Sequence, residues 1–92
     1  MQYRASHILV KDRTLAQDLV RRAKQGADFA SLARENSTCP SKAQGGDLGW
    51  SGPGQMVQPF EYACKNLGVR SISDVVQTQF GYHVIQLTGK ND

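Results

Sequence analysis

Two histidines, His7 and His83, and two cysteines, Cys39 and Cys64, have the widest chemical repertoire in this chain. His7 alternates with Tyr3, Ala5 and Leu9, and His83 with Ile85 and Leu87, so each imidazole falls on the apolar face of an expected strand. Read singly, either histidine is more readily a hydrogen-bonded core residue than a functional one. If the first and last strands are neighbours, the two rings meet and a paired site arises. Cys39 follows Ser37-Thr38 in a polar stretch, and three readings compete for it: nucleophile, metal ligand, or polar member of a hydrogen-bond network. Nucleophilic work needs a thiolate, a general base and oxyanion donors, and no motif around Cys39 declares them. Cys39, His7 and His83 are ligand types that zinc accepts, but their wide separation matches none of the short spacings of metal modules. Cys64 lies in the apolar stripe of an expected helix and reads as a small hydrophobe. Leu48, Met56, Phe60 and Phe80 could line an apolar ligand pocket or could be plain core.

The elements that must position these residues follow from periodicity. Tyr3 to Val10 reads as a strand whose Ile8-Leu9-Val10 run is apolar on both faces, as in a central strand. Thr14-Leu15-Ala16-Gln17 has capping-box spacing and opens a helix with Leu15, Leu19, Val20 and Ala23 inward, ending at Gly26. Asp28 caps a second helix with Phe29, Leu32 and Ala33 buried, which stops near Asn36. Ser37 to Gly54 is rich in Gly, Ser and Pro and reads as a loop around a brief strand at Leu48 and Trp50. Pro59 suits the first position of a third helix, with Phe60, Ala63, Cys64 and Leu67 on one face and Gly68 as the stop. Val75 to Gln79 and Tyr82 to Thr88 read as a closing hairpin around Phe80-Gly81. This order predicts an α+β fold with a mainly antiparallel four-stranded sheet.

The 92 residues suffice for one domain, residues 1–92, and the 39% of hydrophobic side chains argue against disorder. Two cysteines without a CxxC pair are expected to be free thiols in a reducing compartment. The N-terminus carries Arg4 and His7 within its first ten residues and no apolar run of signal-peptide or membrane-span length, so a cytoplasmic monomer is expected. The net charge of +3 places Arg21, Arg22 and Lys24 on one polar helix side, which solvates a surface and gives no reason to expect a nucleic-acid partner.

The motifs in linear order add a family. Ser6-His7-Ile8-Leu9-Val10-Lys11, Gly26-Ala27-Asp28-Phe29, Ser37-Thr38-Cys39, Gly45-Gly46-Asp47-Leu48-Gly49, Gly54-Gln55-Met56-Val57 with Pro59-Phe60, and Thr78-Gln79-Phe80-Gly81-Tyr82-His83-Val84-Ile85 stand in register. From about residue 3 to 88 the chain resembles a parvulin domain. The resemblance implies a four-stranded antiparallel sheet surrounded by four helices, one of them a short turn near Pro40 to Ala43. It also implies peptidyl-prolyl cis/trans isomerisation without a cofactor or metal, acting on proline-containing peptides and unfolded or nascent proteins. A parvulin-like chaperone that binds without isomerising is the alternative. By the same resemblance His7, Cys39, Thr78 and His83 fall on the family's active-site hydrogen-bond network, and Leu48, Met56 and Phe60 on the pocket for the proline ring. Phe80 falls where members that do not require phosphate carry an aromatic residue. Only Lys11, Asp12 and Arg13 separate the first strand from Thr14, where phosphate-directed parvulins carry a long basic loop, so an uncharged residue is expected before proline. Val69-Arg70-Ser71 and Pro53 depart from the family pattern.

Overall fold

A computed structural model of the chain describes residues 1–91. The elements run β1 (Gln2–Val10), α1 (Arg13–Lys24), α2 (Phe29–Asn36), a 3-10 turn (Pro40–Gln44), β2 (Asp47–Ser51), α3 (Gln58–Asn66), β3 (Val76–Thr78) and β4 (Gly81–Asn91). The four strands form one antiparallel sheet in the order β2-β1-β4-β3, so the first and last strands of the chain are its two central strands. The α+β architecture expected from the sequence is the one observed, and the short turn near Pro40 that the resemblance implies is present in a stretch whose composition alone reads as loop.

Strand alternation divides the core in two. Ile8, Val10 and Val84 face α1 and α2, where they pack with Ala16, Leu19, Val20, Phe29 and Leu32. Tyr3, Ala5, Ile85 and Leu87 point to the opposite face and pack with Phe60 and Cys64 of α3. The sheet is therefore a middle layer with helices on both sides, as a double-faced apolar strand such as Ile8-Leu9-Val10 requires.

Several boundaries differ from the sequence reading. Asp12, not Thr14, caps α1: its carboxylate accepts from the Thr14 backbone N at 3.0 Å, and an ionised acceptor two residues earlier outcompetes a hydroxyl for the free donors. Pro59 is the second residue of α3 rather than the first, a place where its missing N–H is equally harmless, and α3 gives way at Leu67, one residue before Gly68. The hairpin turns on Gln79-Phe80, with Thr78 opposite Gly81, because Gly81 already belongs to β4. There, at φ 138°, it lies so close to Val10 that a Cβ would come within 2.7 Å of the Val10 carbonyl oxygen. β4 also runs past Thr88, its pairing with β1 continuing to Gln2 opposite Asn91. Ahead of β3 in the chain, Arg70 to Ser73 runs along the next part of β4: Arg70 N donates to Leu87 O and Ser73 N to Ile85 O. Arg70 takes a left-handed φ of 77° in this segment, at the departure from the family pattern.

Candidate active site

The register of the two central strands brings the histidines together. His7 is opposite Ile85 and His83 is opposite Leu9, which makes the two imidazoles diagonal neighbours on the α3 side of the sheet. Their Nδ1 atoms are 2.9 Å apart and their rings stack with centroids 5.1 Å apart. Phe60 meets both rings edge-on, at 5.7 Å from His7 and 5.6 Å from His83. On the far side His83 Nε2 lies 2.7 Å from Thr78 Oγ1, which also accepts from the Phe80 backbone N at 3.1 Å. The result is a chain of contacts from His7 through His83 and Thr78 to the hairpin turn.

An Nδ1 to Nδ1 hydrogen bond needs one donor and one acceptor, so two imidazolium rings cannot share it. Both histidines are almost fully buried, at 5% and 4% exposure. Burial, reinforced by the neighbouring His83, pulls His7 down to about 4, and burial pulls His83 down to about 4 as well. The pair is neutral at pH 7. His7 Nε2 is buried without a hydrogen-bond partner among the described residues.

A cleft of about 500 Å³ opens above this pair, lined by His7, Cys39, Leu48, Met56, Phe60, Phe80 and His83 together with Leu9, Thr38, Pro40, Gln55 and Val57. No lining side chain except the two neutral imidazoles carries an ionisable nitrogen or carboxylate. Leu48, Met56 and Val57 also pack on the α3 core, so the cleft floor is continuous with the interior. Phe80 remains 54% exposed at the rim.

Each wall has an identifiable anchor. Beyond its pairing with β2, the free edge of β1 is taken up by loop backbone: His7 N donates to Gly46 O at 3.0 Å and Thr38 N donates to Leu9 O at 2.8 Å. Ser37 Oγ accepts from both Leu9 N and Cys39 N, which fixes the segment that carries Cys39. Gly46 has a φ of 86°, and a Cβ there would stand 2.3 Å from the His7 carbonyl oxygen, so the close approach of this loop to His7 requires glycine.

The expected residues thus divide. His7, His83 and Thr78 form one hydrogen-bonded set, and Leu48, Met56, Phe60 and Phe80 all face the cleft. Cys39 also lines the cleft, where its backbone N donates to Ser37 Oγ, and its thiol makes no hydrogen bond to either imidazole. Among the described residues no group of three or more His, Cys, Asp or Glu is arranged to hold a metal ion, and no helix is long and apolar enough to cross a membrane. Sequence reasoning overlooked Ser37 and Gln55. Ser-Thr before a loop cysteine signals local backbone capture, but which strand edge it captures emerges only from the fold.

Comparison with known proteins agrees with this geometry. Residues 2–91 match the family model for the PPIC-type PPIase domain, and the chain belongs to that family of parvulin peptidyl-prolyl cis/trans isomerase domains. It is 50% identical over 90 residues to the foldase protein PrsA of Geobacillus sp. (strain WCH70), covering 97% of this chain and 33% of that protein. To foldase protein PrsA of Bacillus subtilis (strain 168) it is 46% identical over 93 residues, covering 97% and 32%. The chain therefore spans about a third of the length of these curated relatives. Among solved structures, peptidylprolyl isomerase PrsA of Bacillus anthracis superposes with a TM-score of 0.96 at 44% identity, covering 99% of this chain and 42% of the other. NmPin, the parvulin of Nitrosopumilus maritimus, superposes at 0.85 with 37% identity and 96% coverage of both chains.

Proposed function

We propose that this chain accelerates rotation about Xaa-Pro amide bonds in polypeptides by a non-covalent mechanism, seating the proline ring among Leu48, Met56 and Phe60 with Phe80 against the preceding residue. The observation that carries the reading is an apolar cleft floored by a buried, neutral histidine pair. Rotation about the amide must overcome a barrier of about 18–20 kcal/mol because resonance is lost. The planar amide is charge-separated and well solvated, whereas the twisted amide is less polar. A cleft with Leu48, Met56, Phe60 and Phe80 in its walls removes water from the planar form and so lowers the barrier by differential binding. No base is needed, since no proton leaves the substrate. The imidazoles hold the floor in shape, and Cys39 modifies the electrostatics of the wall facing them.

The uncharged lining favours an apolar residue before proline over a phosphorylated one, and only Lys11 and Asp12 lie between β1 and α1. A protease-coupled assay on leucine-proline and phosphoserine-proline peptides tests both statements. Turnover of the leucine-proline peptide is expected to be much the faster. Absence of turnover on either, with peptide binding retained, would support the chaperone alternative. The reading includes unfolded and nascent chains as substrates and a monomer in a reducing compartment, where the free thiols Cys39 and Cys64 stay reduced. Sedimentation checks the monomer. Nucleic-acid binding would be recognised by its steep loss with rising salt and is not expected.

A further inference from the structure

The wall that carries Gln55, Met56 and Val57 into the cleft belongs to a loop anchored at its C-terminal end, where Met56 and Val57 pack on the α3 core and Val57 O accepts from Glu61 N at 3.0 Å, while the Gly52–Gln55 turn before it is held by hydrogen bonds. Within Gly52–Val57 the backbone makes one internal hydrogen bond, Gln55 N to Gly52 O at 3.3 Å, and the Gln55 side chain turns back to accept from Gly52 N. Both bonds stay inside the loop. Gly54 lies in this turn with a φ of 84°, a conformation that favours glycine, and its N–H has no backbone acceptor. That N–H donates instead to Oε1 of Glu61, at 2.8 Å, in the first turn of α3.

Glu61 is well suited to this task. Its side chain is 15% exposed, and its second oxygen faces Lys65, one turn along, at 3.6 Å. A carboxylate in the first helical turn is stabilised by the helix dipole, and an N–H to carboxylate bond is roughly twice as strong as a neutral one. Phe60, the neighbour of Glu61, lines the cleft and meets both histidines edge-on. One helical turn thus presents Phe60 to the cleft and, through Glu61, ties down the Gly54 turn.

We propose that Glu61 is a positioning residue for isomerisation: its carboxylate latches Gly54 and so holds Met56 and Gln55 over the proline ring. This rests on the isomerase reading of the cleft, but the latch itself is observable without turnover. An unlatched loop samples arrangements in which the pocket is open, and apparent affinity falls by the fraction of molecules in the closed one. The loss therefore falls on KM. Mere destabilisation of the fold would reduce the amount of active protein and with it kcat, leaving KM unchanged.

The test compares Glu61→Ala, Glu61→Gln and Lys65→Ala with the unmodified chain, on a leucine-proline peptide and by the Gly54 amide resonance. In the unmodified chain the Gly54 amide is expected to be protected from exchange and shifted downfield. Glu61→Ala is expected to lose both features and to raise KM about tenfold, with kcat changed less than about threefold. Glu61→Gln keeps an acceptor oxygen and should recover most of the KM, while Lys65→Ala should change neither KM nor the Gly54 signal. An unprotected Gly54 amide in the unmodified chain overturns the proposal, even if Glu61→Ala does not fold. So does an unchanged KM in Glu61→Ala once its Gly54 signal is lost. Should the unmodified chain turn over no peptide while its Gly54 amide is protected and Glu61→Ala binds that peptide as tightly as before, the latch proposal fails. If binding weakens with turnover absent, the isomerase reading fails and the latch stands.

Discussion

The Nδ1 atoms of His7 and His83 lie 2.9 Å apart across the two central strands, although 76 positions separate them in the chain. Because each ring is buried, removing one leaves polar atoms of the other without a partner. His83→Leu leaves His7 Nδ1 without a partner and takes from the Thr78 hydroxyl one of its two, the Phe80 backbone N remaining, and the loss of stability is expected to be roughly 1–3 kcal/mol. Turnover should fall with it, since Phe60 packs against both rings. Denaturant titration and peptide isomerisation measure the two effects. A variant that keeps its midpoint and its turnover would show that the pair holds nothing in place.

The same pair sets a pH dependence. Both histidines are drawn down to about 4 in the folded chain, mainly by burial. In the unfolded chain they titrate near 6.5, so between these values the unfolded state binds more protons than the folded one. Stability is therefore complete above about pH 6.5, declines as the pH falls, and has lost the contribution once the pH is below about 4. Thermal midpoints recorded across this window should drop on the acid side, and His7→Asn should flatten the slope. A midpoint independent of pH in this range would contradict the neutral buried pair.

Cys39 and Cys64 should separate cleanly by reactivity. Cys64 is 1% exposed in the α3 core, and burial, with Glu61 nearby, pushes its thiol up to about 12. Cys39 is partly exposed in the cleft wall. A thiol reagent should titrate Cys39 first in the folded chain and reach Cys64 only on unfolding. Cys39→Ala is expected to reduce turnover by about tenfold or less, because this thiol has no hydrogen bond to either imidazole and the mechanism has no covalent step. Complete loss of activity, together with a trapped thioester in the unmodified chain, would refute the non-covalent reading.

Which parts of this site could be read from the chain follows from the range of the forces involved. Strand alternation is local, so the face occupied by His7 and by His83 was legible, and the register of antiparallel neighbours then determines that they meet. Asp28 as a cap and the stripe through Phe60 and Cys64 are equally local, and both stand as expected. Thr78 needed the family motifs, and for Cys39 and the pocket residues Leu48, Met56, Phe60 and Phe80 the motifs chose among readings that residue type alone left open, since no periodicity marks a side chain as facing a cleft. Asp12 was missed because Thr14 and Gln17 satisfy the capping pattern in spacing, while the carboxylate two residues earlier wins in charge. The ties from Gly54 to Glu61 and from Ser37 to Leu9 were invisible for another reason: a side chain bonding a distant backbone donor leaves no repeat in the sequence.

Gly46 offers the sharpest test of how the cleft is held against β1. Its carbonyl accepts from His7 N, and its φ of 86° lies where residues other than glycine are strained. A Cβ at this position would come within 2.3 Å of the His7 carbonyl oxygen and 3.2 Å of the Ala33 side chain, and neither neighbour is the mobile end of a long chain. The loop must therefore lift from β1, carrying Leu48 away from the cleft and releasing the His7 backbone. Gly46→Ala is expected to cost about 1–3 kcal/mol from backbone strain, with the steric displacement adding to it. Gly49→Ala provides the control: its φ of 72° brings comparable strain, but no atom lies within 4 Å of the added carbon. If the clash matters, Gly46→Ala should be the less stable of the two and should also bind a leucine-proline peptide more weakly. Equal stability and equal affinity would mean that the loop yields freely and that its approach to His7 does not shape the site.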